Sequence, residues 1–294
     1  MVGLLNINKP VGMTSRRVVD IVARLAGTKR VGHAGTLDPL ASGVLVVCLG
    51  WATRLVPYIQ ERPKTYRAGF LLGRRSDTDD VTGTVVEIAG AVRPPRDQIE
   101  SALSDFVGEI QQVPPQFSAV HVQGKRAHKL ARRGESVTIE PRTVCVYRIE
   151  LLAYDFPALE LLVECGSGTY IRAIGRDLGN ALGCGAVMDS LVRERIGEFS
   201  IDAAVGPDAL AQESLADFLM PPLAAVSHFP RHLCTTAESA EILRGRPVTC
   251  PPSLCVPAGQ LAALLSPGGD LAALARIDAD QQLLRPHQVF AGTA

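Results

Sequence analysis

Asp38 is the residue whose neighbours best suit it for chemistry. It stands within Gly32-His33-Ala34-Gly35-Thr36-Leu37-Asp38-Pro39-Leu40-Ala41-Ser42-Gly43, ahead of the apolar run Val44 to Leu49. Glycine opens backbone conformations closed to other residues, so a loop carrying Gly32, Gly35 and Gly43 can press close to a ligand. Pro39 turns the preceding residue away from helical geometry toward an extended one. The expected product is a carboxylate on stiff, non-helical backbone at the edge of a buried strand, which suits a nucleophile or a general base. An Asp-Pro pair also opens ordinary turns. His33 in the same loop suits proton handling or a structural hydrogen bond.

Several elements must hold that loop. Leu4 to Ile7 reads as a strand leading to Lys9-Pro10. A helix from Thr14 to Ala26 follows, capped by Thr14 or Ser15, with Val18, Ile21, Val22 and Leu25 on one face. Tyr66, Ala68, Phe70 and Leu72 alternate with Arg67 and Gly69 as in a strand, and Val81 to Ile88 reads as another. Pro95 opens a helix carrying Ile99, Ala102, Leu103 and Phe106. Strands are expected between Val137 and Cys165, a helix over Thr169 to Leu182, and extended chain from Val187 to Ile201. Strands and helices without a repeating βα unit predict an α+β fold. A helix is expected from Asp208 to Leu219, a break over Pro221-Pro222 to Pro230, and then a helix from Thr236 to Leu243 followed by two or three weak strands.

The chain has 294 residues, 47% apolar and 20% charged, with no low-complexity block, as in a globular protein of roughly two domains. No apolar run reaches the ~18 residues of a membrane span, and Met1 to Leu5 lacks the features of a secretory signal. A cytoplasmic protein is expected. Its seven cysteines are scattered without Cys-x-x-Cys spacing, which predicts reduced thiols and no structural metal. The net charge is zero, so any nucleic-acid surface must come from local clustering. Such a cluster exists: Lys125, Arg126, His128, Lys129, Arg132, Arg133, Arg142 and Arg148 stand against Glu135, Glu140 and Glu150.

Five ordered motifs resemble the bacterial tRNA pseudouridine-55 synthases, the TruB family. They are Leu5 to Ser15, the loop Gly32 to Leu45, Lys64-Thr65-Tyr66-Arg67, Pro115-Gln116-Phe117-Ser118-Ala119 and Gly168-Thr169-Tyr170-Ile171-Arg172, and the likeness spans about the first 200 residues. The resemblance implies a mixed, mainly antiparallel sheet with flanking helices. It also implies a T-loop uridine of tRNA as substrate, flipped out of its stack and converted to pseudouridine without any cofactor. Asp38 matches the family's nucleophile and Arg172 the arginine that pairs with it. Tyr66 matches a tyrosine that stacks on the base, Tyr170 and Leu191 other base contacts, and His33 a histidine beside the extruded nucleotide. Lys9 matches a basic residue beneath the loop, although a surface lysine before a turn is its plain reading. Lys125, Arg126, Lys129, Arg132 and Arg133 fall in the place of an insertion, about residues 116–148, that grips the T arm through its phosphates.

The chain departs from the family at His128, where a tyrosine is common, and at Leu191-Val192-Arg193, where Leu-Arg-Arg is common. Residues 1–225 are expected to form the catalytic domain and 226–294 a PUA-like RNA-binding domain, in a monomer that needs no protein partner. Two alternatives remain open at this point: a tRNA-folding chaperone in which isomerisation is secondary, and a synthase directed by a guide RNA.

Overall fold

The computed structural model describes residues 1–117, 121–122, 125–126, 139–212, 214–252, 254, 259–278 and 280–290. A nine-stranded sheet is built from β1 (Gly3–Lys9), β2 (Val31–His33), β3 (Ser42–Leu49), β4 (Lys64–Leu72), β5 (Gly108–Gln112), β6 (Arg142–Asp155), β7 (Ala158–Cys165), β8 (Ala186–Ile196) and β9 (Phe199–Ser200). The order is β1-β3-β8-β4-β7-β6-β5, with β2 along β3 and β9 along β8. Every pair is antiparallel except β3 with β8. The alternation read along β4 holds. Ala68, Phe70 and Leu72 are buried on one face, while Arg67 on the other meets Glu194 at 2.8 Å and Glu160 at 3.4 Å.

Helix α1 (Ser15–Leu25) is capped by Thr14, whose hydroxyl accepts from the Arg17 N–H at 3.1 Å. Helix α2 (Arg96–Leu103) buries Ile99 and Leu103. Helix α3 (Ile171–Ala181) lies directly on the sheet, because Gly175 presents no side chain there: a Cβ would come 2.2 Å from the Phe70 ring. That close seat buries Ile171, Arg172, Ile174 and Leu178.

Three expectations need correction. Only Val86–Glu87 of the expected strand is strand, paired with Arg74–Arg75. The stretch before it is a loop whose amides and hydroxyls turn to Asp77 and Asp80, a local alternative to ladder pairing. The helix expected to Leu219 ends at Gln212 (Pro207–Gln212), and Ser214 caps a separate 3-10 turn, Leu215–Phe218. The last part is a full five-stranded sheet rather than two or three strands: β10 (Arg231–Leu233), β11 (Val248–Thr249), β12 (Leu261–Leu265), β13 (Leu271–Asp278) and β14 (Leu283–Val289), in the order β10-β12-β13-β14-β11. Alanine is a poor strand former, yet Ala262, Ala263, Ala273 and Ala275 are fully buried there, where burial and packing outweigh propensity.

The two sheets share one apolar cluster, in which Leu4, Val46 and Ile196 join Ala225, Val226, Ala263, Leu274 and Phe290. Trp51 stacks on Phe290 at 4.8 Å, and Arg54 donates to the Val289 carbonyl at 2.8 Å. No helix among the described residues is long and apolar enough to cross a membrane. The six described cysteines are unpaired.

Candidate active site

Asp38 sits in a loop fixed on both sides. The Ser15 hydroxyl accepts from the Leu37 N–H at 2.9 Å and lies 3.1 Å from the Leu37 carbonyl, tying the start of α1 to the residue before Asp38. The Pro39 carbonyl accepts from the Gly12 N–H at 2.7 Å, and the Asp38 carbonyl from the Ala41 N–H at 3.0 Å. At the far end Gly43 has φ +99°, and a Cβ there would come 2.3 Å from the Arg193 carbonyl oxygen. Glycine alone lets the loop join β8 so closely. The backbone is therefore rigid, while the Asp38 side chain is 41% exposed and open to a substrate.

Arg172 comes from the first turn of α3 and is only 6% exposed. The plain reading of this residue, a solvated arginine on an amphipathic helix, is therefore excluded. One terminal nitrogen lies 3.0 Å from the Asp38 carboxylate and donates to the Phe117 carbonyl at 3.1 Å. The other donates to the Thr78 carbonyl at 2.9 Å and lies 3.3 Å from Asp80. The fork thus holds two carboxylates and two carbonyls at once, a task suited to a rigid planar guanidinium.

Asp80 was not singled out from the sequence. It is 4% exposed and also accepts from the Thr78 hydroxyl at 2.7 Å, the Thr82 N–H at 2.9 Å and the Thr82 hydroxyl at 2.5 Å. The only local signal was an acidic pair among threonines, which by itself reads as an ordinary loop.

Beneath the loop lies a second buried arginine, Arg193, 2% exposed. It donates to the Val44 carbonyl at 2.8 Å and the Gly35 carbonyl at 3.0 Å, so it braces both flanks of the Asp38 segment. Arg193 stands opposite Tyr66 across β8 and β4. The Tyr66 phenol is pushed up by burial, against the opposing pull of the Arg193 guanidinium beside it. Leu191, two residues earlier on the same face, is 8% exposed and stands opposite Ala68. Tyr170 forms the N-cap of α3, its N–H and carbonyl both held by the Gln112 amide at 2.8 and 3.1 Å. His33 lies on β2 with its Nδ1 buried. Burial and the nearby Arg193 lower its pKa.

Lys9 is fully buried rather than at the surface, correcting its plain reading. Its Nζ donates to the Pro10 carbonyl at 2.9 Å and the Met13 carbonyl at 2.7 Å. Burial lowers its pKa from 10.5 to about 8, against the opposing pull of Asp38. Between those values the unfolded chain keeps a proton that the folded protein has released, so stability rises with pH across that window. The stabilising difference is fully present above pH 10.5 and is lost as pH falls through about 8. In urea titrations, the stability of the protein relative to its Lys9→Met variant should therefore increase from pH 8 to pH 10. A difference that stays constant over that range would contradict the burial of a titrating amine.

Lys125 and Arg126 form a two-residue strand opposite His121–Val122. Lys129, Arg132 and Arg133 lie outside the described residues.

Residues 23–171 match the family model described as TruB family pseudouridylate synthase, N-terminal domain. A protein named tRNA pseudouridine synthase B from Dehalococcoides mccartyi strain 195 is 47% identical over 235 residues, covering 79% of this chain and 78% of that protein. One of the same name from Moorella thermoacetica is 39% identical over 305 aligned positions, covering 99% of each chain. Among solved structures, one of an H/ACA RNP bound to a substrate RNA containing 2′-deoxyuridine superposes with a TM-score of 0.76 at 26% identity, covering 99% of this chain and 86% of that one. A Cbf5-Nop10-Gar1 complex gives 0.73 at 27% identity, covering 98% and 84%.

Proposed function

The chain belongs to the TruB family of pseudouridylate synthases, and on that premise we propose that it isomerises the T-loop uridine at position 55 of tRNA to pseudouridine, with Asp38 as the nucleophile. The single observation that carries the reading is the Asp38 carboxylate, open to solvent on a fixed backbone and 3.0 Å from the buried Arg172.

The reaction breaks the bond from N1 to the ribose C1′, turns the base over and joins C5 to the same carbon. C5 gives up its proton and N1 gains one, so atoms and charge balance without water or an external electron acceptor. A carboxylate nucleophile divides that difficult exchange into two easier steps. The uridine must leave its stack to reach Asp38, and an aromatic face is the natural platform for a flipped base. Tyr66 serves as that platform, with Tyr170 and Leu191 closing around the base. His33 lies beside the extruded nucleotide, and Lys9 supports the loop from below. Lys125, Arg126, Lys129, Arg132 and Arg133 contact phosphates of the T arm, and the sheet β10–β14 adds a PUA-like RNA surface, with the boundary near residue 226. The enzyme acts as a cytoplasmic monomer.

The solved assemblies that superpose on this chain are 26–27% identical to it. The relatives named for tRNA reach 47% and favour the tRNA reading. The test is incubation of the purified protein with unmodified tRNA transcript, followed by mapping of pseudouridine. Conversion of the T-loop uridine by the protein alone is expected. A transcript left unmodified, or modified only when a guide RNA is added, would overturn the proposal.

A further inference from the structure

A second Arg–Asp pair, Arg176 with Asp79, lies beside the first. Arg172 and Arg176 are one turn apart on α3 and so project from the same side of the helix. Asp79 and Asp80 are adjacent in the loop, and in extended chain their side chains would point to opposite faces. They do not, because Asp79 adopts a left-handed conformation with φ +61°. That turn aims both carboxylates at one helix face: Asp80 at Arg172, and Asp79 at Arg176 with a separation of 2.9 Å. Left-handed backbone is uncommon for a residue other than glycine and persists where surroundings hold it. Here the hold is at both ends of the residue, since the Asp79 carbonyl also accepts from the Met188 N–H at 3.0 Å.

Arg176 makes two further contacts. It donates to the Asp177 carboxylate at 2.8 Å and to the Val113 carbonyl at 2.8 Å. Val113 follows directly on β5, whose Gln112 clamps the Tyr170 peptide, and Phe117 beyond it accepts from Arg172. Three side chains, Gln112, Arg172 and Arg176, thereby join α3 to the segment 112–117. The pair is no open surface bridge of negligible worth: the Asp79 side chain is 15% exposed and that of Arg176 25%.

We infer that Arg176 and Asp79 form a positioning latch for the isomerisation. By pinning the 77–84 loop and the start of the 113–117 segment to α3, they hold Asp80 against Arg172 and so fix the direction of the Asp38 carboxylate. The inference rests on the reading of Asp38 as the nucleophile. Neither residue touches the uridine. Their contribution is to the geometry of the reacting groups, where small displacements have large kinetic consequences.

The experiment measures single-turnover pseudouridine formation with enzyme in saturating excess, and tRNA affinity separately. The variants are Asp79→Asn, Arg176→Gln, their double, and Arg176→Gln in an Asp80→Asn background. Asparagine tolerates the left-handed conformation, so Asp79→Asn keeps the backbone while removing the charge. Each single variant should slow formation by about tenfold while affinity stays within about twofold. The double should be no slower than the slower single, and Arg176→Gln should add nothing once Asp80 is asparagine, because all act through one device. Single-turnover rates within twofold of wild type, slowing that multiplies in the double, or a loss confined to affinity would each overturn the latch. Thermal melts identify a variant that is unfolded at the assay temperature. If Arg176→Gln is such a variant, the rate of Asp79→Asn decides. Wild-type protein inactive on tRNA would instead refute the proposed function, and the parallel wild-type reaction separates the two failures.

Discussion

Replacement of Asp38 by asparagine is expected to abolish pseudouridine formation while the protein remains folded and bound to tRNA. Asparagine reproduces the shape of aspartate and can keep a hydrogen bond to Arg172, but it cannot supply the carboxylate that the proposed reaction uses as its nucleophile. The loop does not depend on that carboxylate: its bonds run through Ser15, Gly12, Ala41 and Arg193 to backbone atoms. Removing a covalent nucleophile characteristically lowers turnover by several powers of ten, here on the order of 10⁴-fold or more. Binding should stay within about tenfold, or ~1.4 kcal/mol, since most RNA affinity comes from phosphate contacts remote from one carboxylate. Pseudouridine mapping after prolonged incubation, together with filter binding, gives both quantities. Turnover near that of wild type would remove Asp38 from the mechanism. Equal loss of turnover and of thermal stability would make it a structural residue.

Arg172→Met should have the largest effect on stability. The arginine and Asp80 side chains are 7% and 5% exposed, and removing the cation leaves a buried carboxylate facing an apolar side chain. Breaking such a pair by taking one partner costs about 3–5 kcal/mol. The Thr78 and Phe117 carbonyls lose their donor as well. Activity should vanish with it, because Asp38 loses the group that orients it. A double variant, Arg172→Met with Asp80→Asn, separates the two consequences. Without the uncompensated charge, much of the stability should return, while the isomerase activity should not. Urea midpoints and initial rates on tRNA for the two variants test this. A double variant as unstable as the single one would show that the penalty comes from lost packing rather than from a buried charge.

Much of this protein was legible along the chain because its signals are local. The 3.6-residue spacing of Val18, Ile21, Val22 and Leu25 and the period-two alternation from Tyr66 to Leu72 each describe one element burying one face. Strand β4 follows its pattern, whereas α1 forms but buries Val18, Val19 and Val22 and leaves Leu25, in its last turn, 41% exposed. Glycine and proline around Asp38 specify backbone geometry whatever the partners are, so the exposed carboxylate on stiff chain could be read before any contact was known. Its candidate partners Arg172, Tyr66 and Leu191 could be named only through ordered motifs resembling a family. The spacing of an arginine on a helix does not say which face the helix buries.

Tertiary structure alone decided the rest, and the reason is the same at each position. Asp80 and Arg193 carry no pattern in the chain, yet they are nearly the most buried charged groups, at 4% and 2% exposed. A charge becomes structurally decisive when a strand or helix from elsewhere excludes water and supplies its partner. The parallel junction of β3 with β8 brings Arg193 beneath Gly35 and Val44, and the seat of Gly175 on Phe70 lowers α3 until Arg172 reaches Asp38 and Asp80. Lys9 shows the same dependence, an apparently ordinary lysine before a turn that burial turns into an amine of pKa about 8. The alanine-rich strands β12 and β13 depart from local preference for a related cause: both their faces are packed, Ala263 in the cluster that the two sheets share and Ala262, Ala273 and Ala275 in the second sheet's own core. What acts on one element could be read from its residues, and what depends on two elements meeting could not.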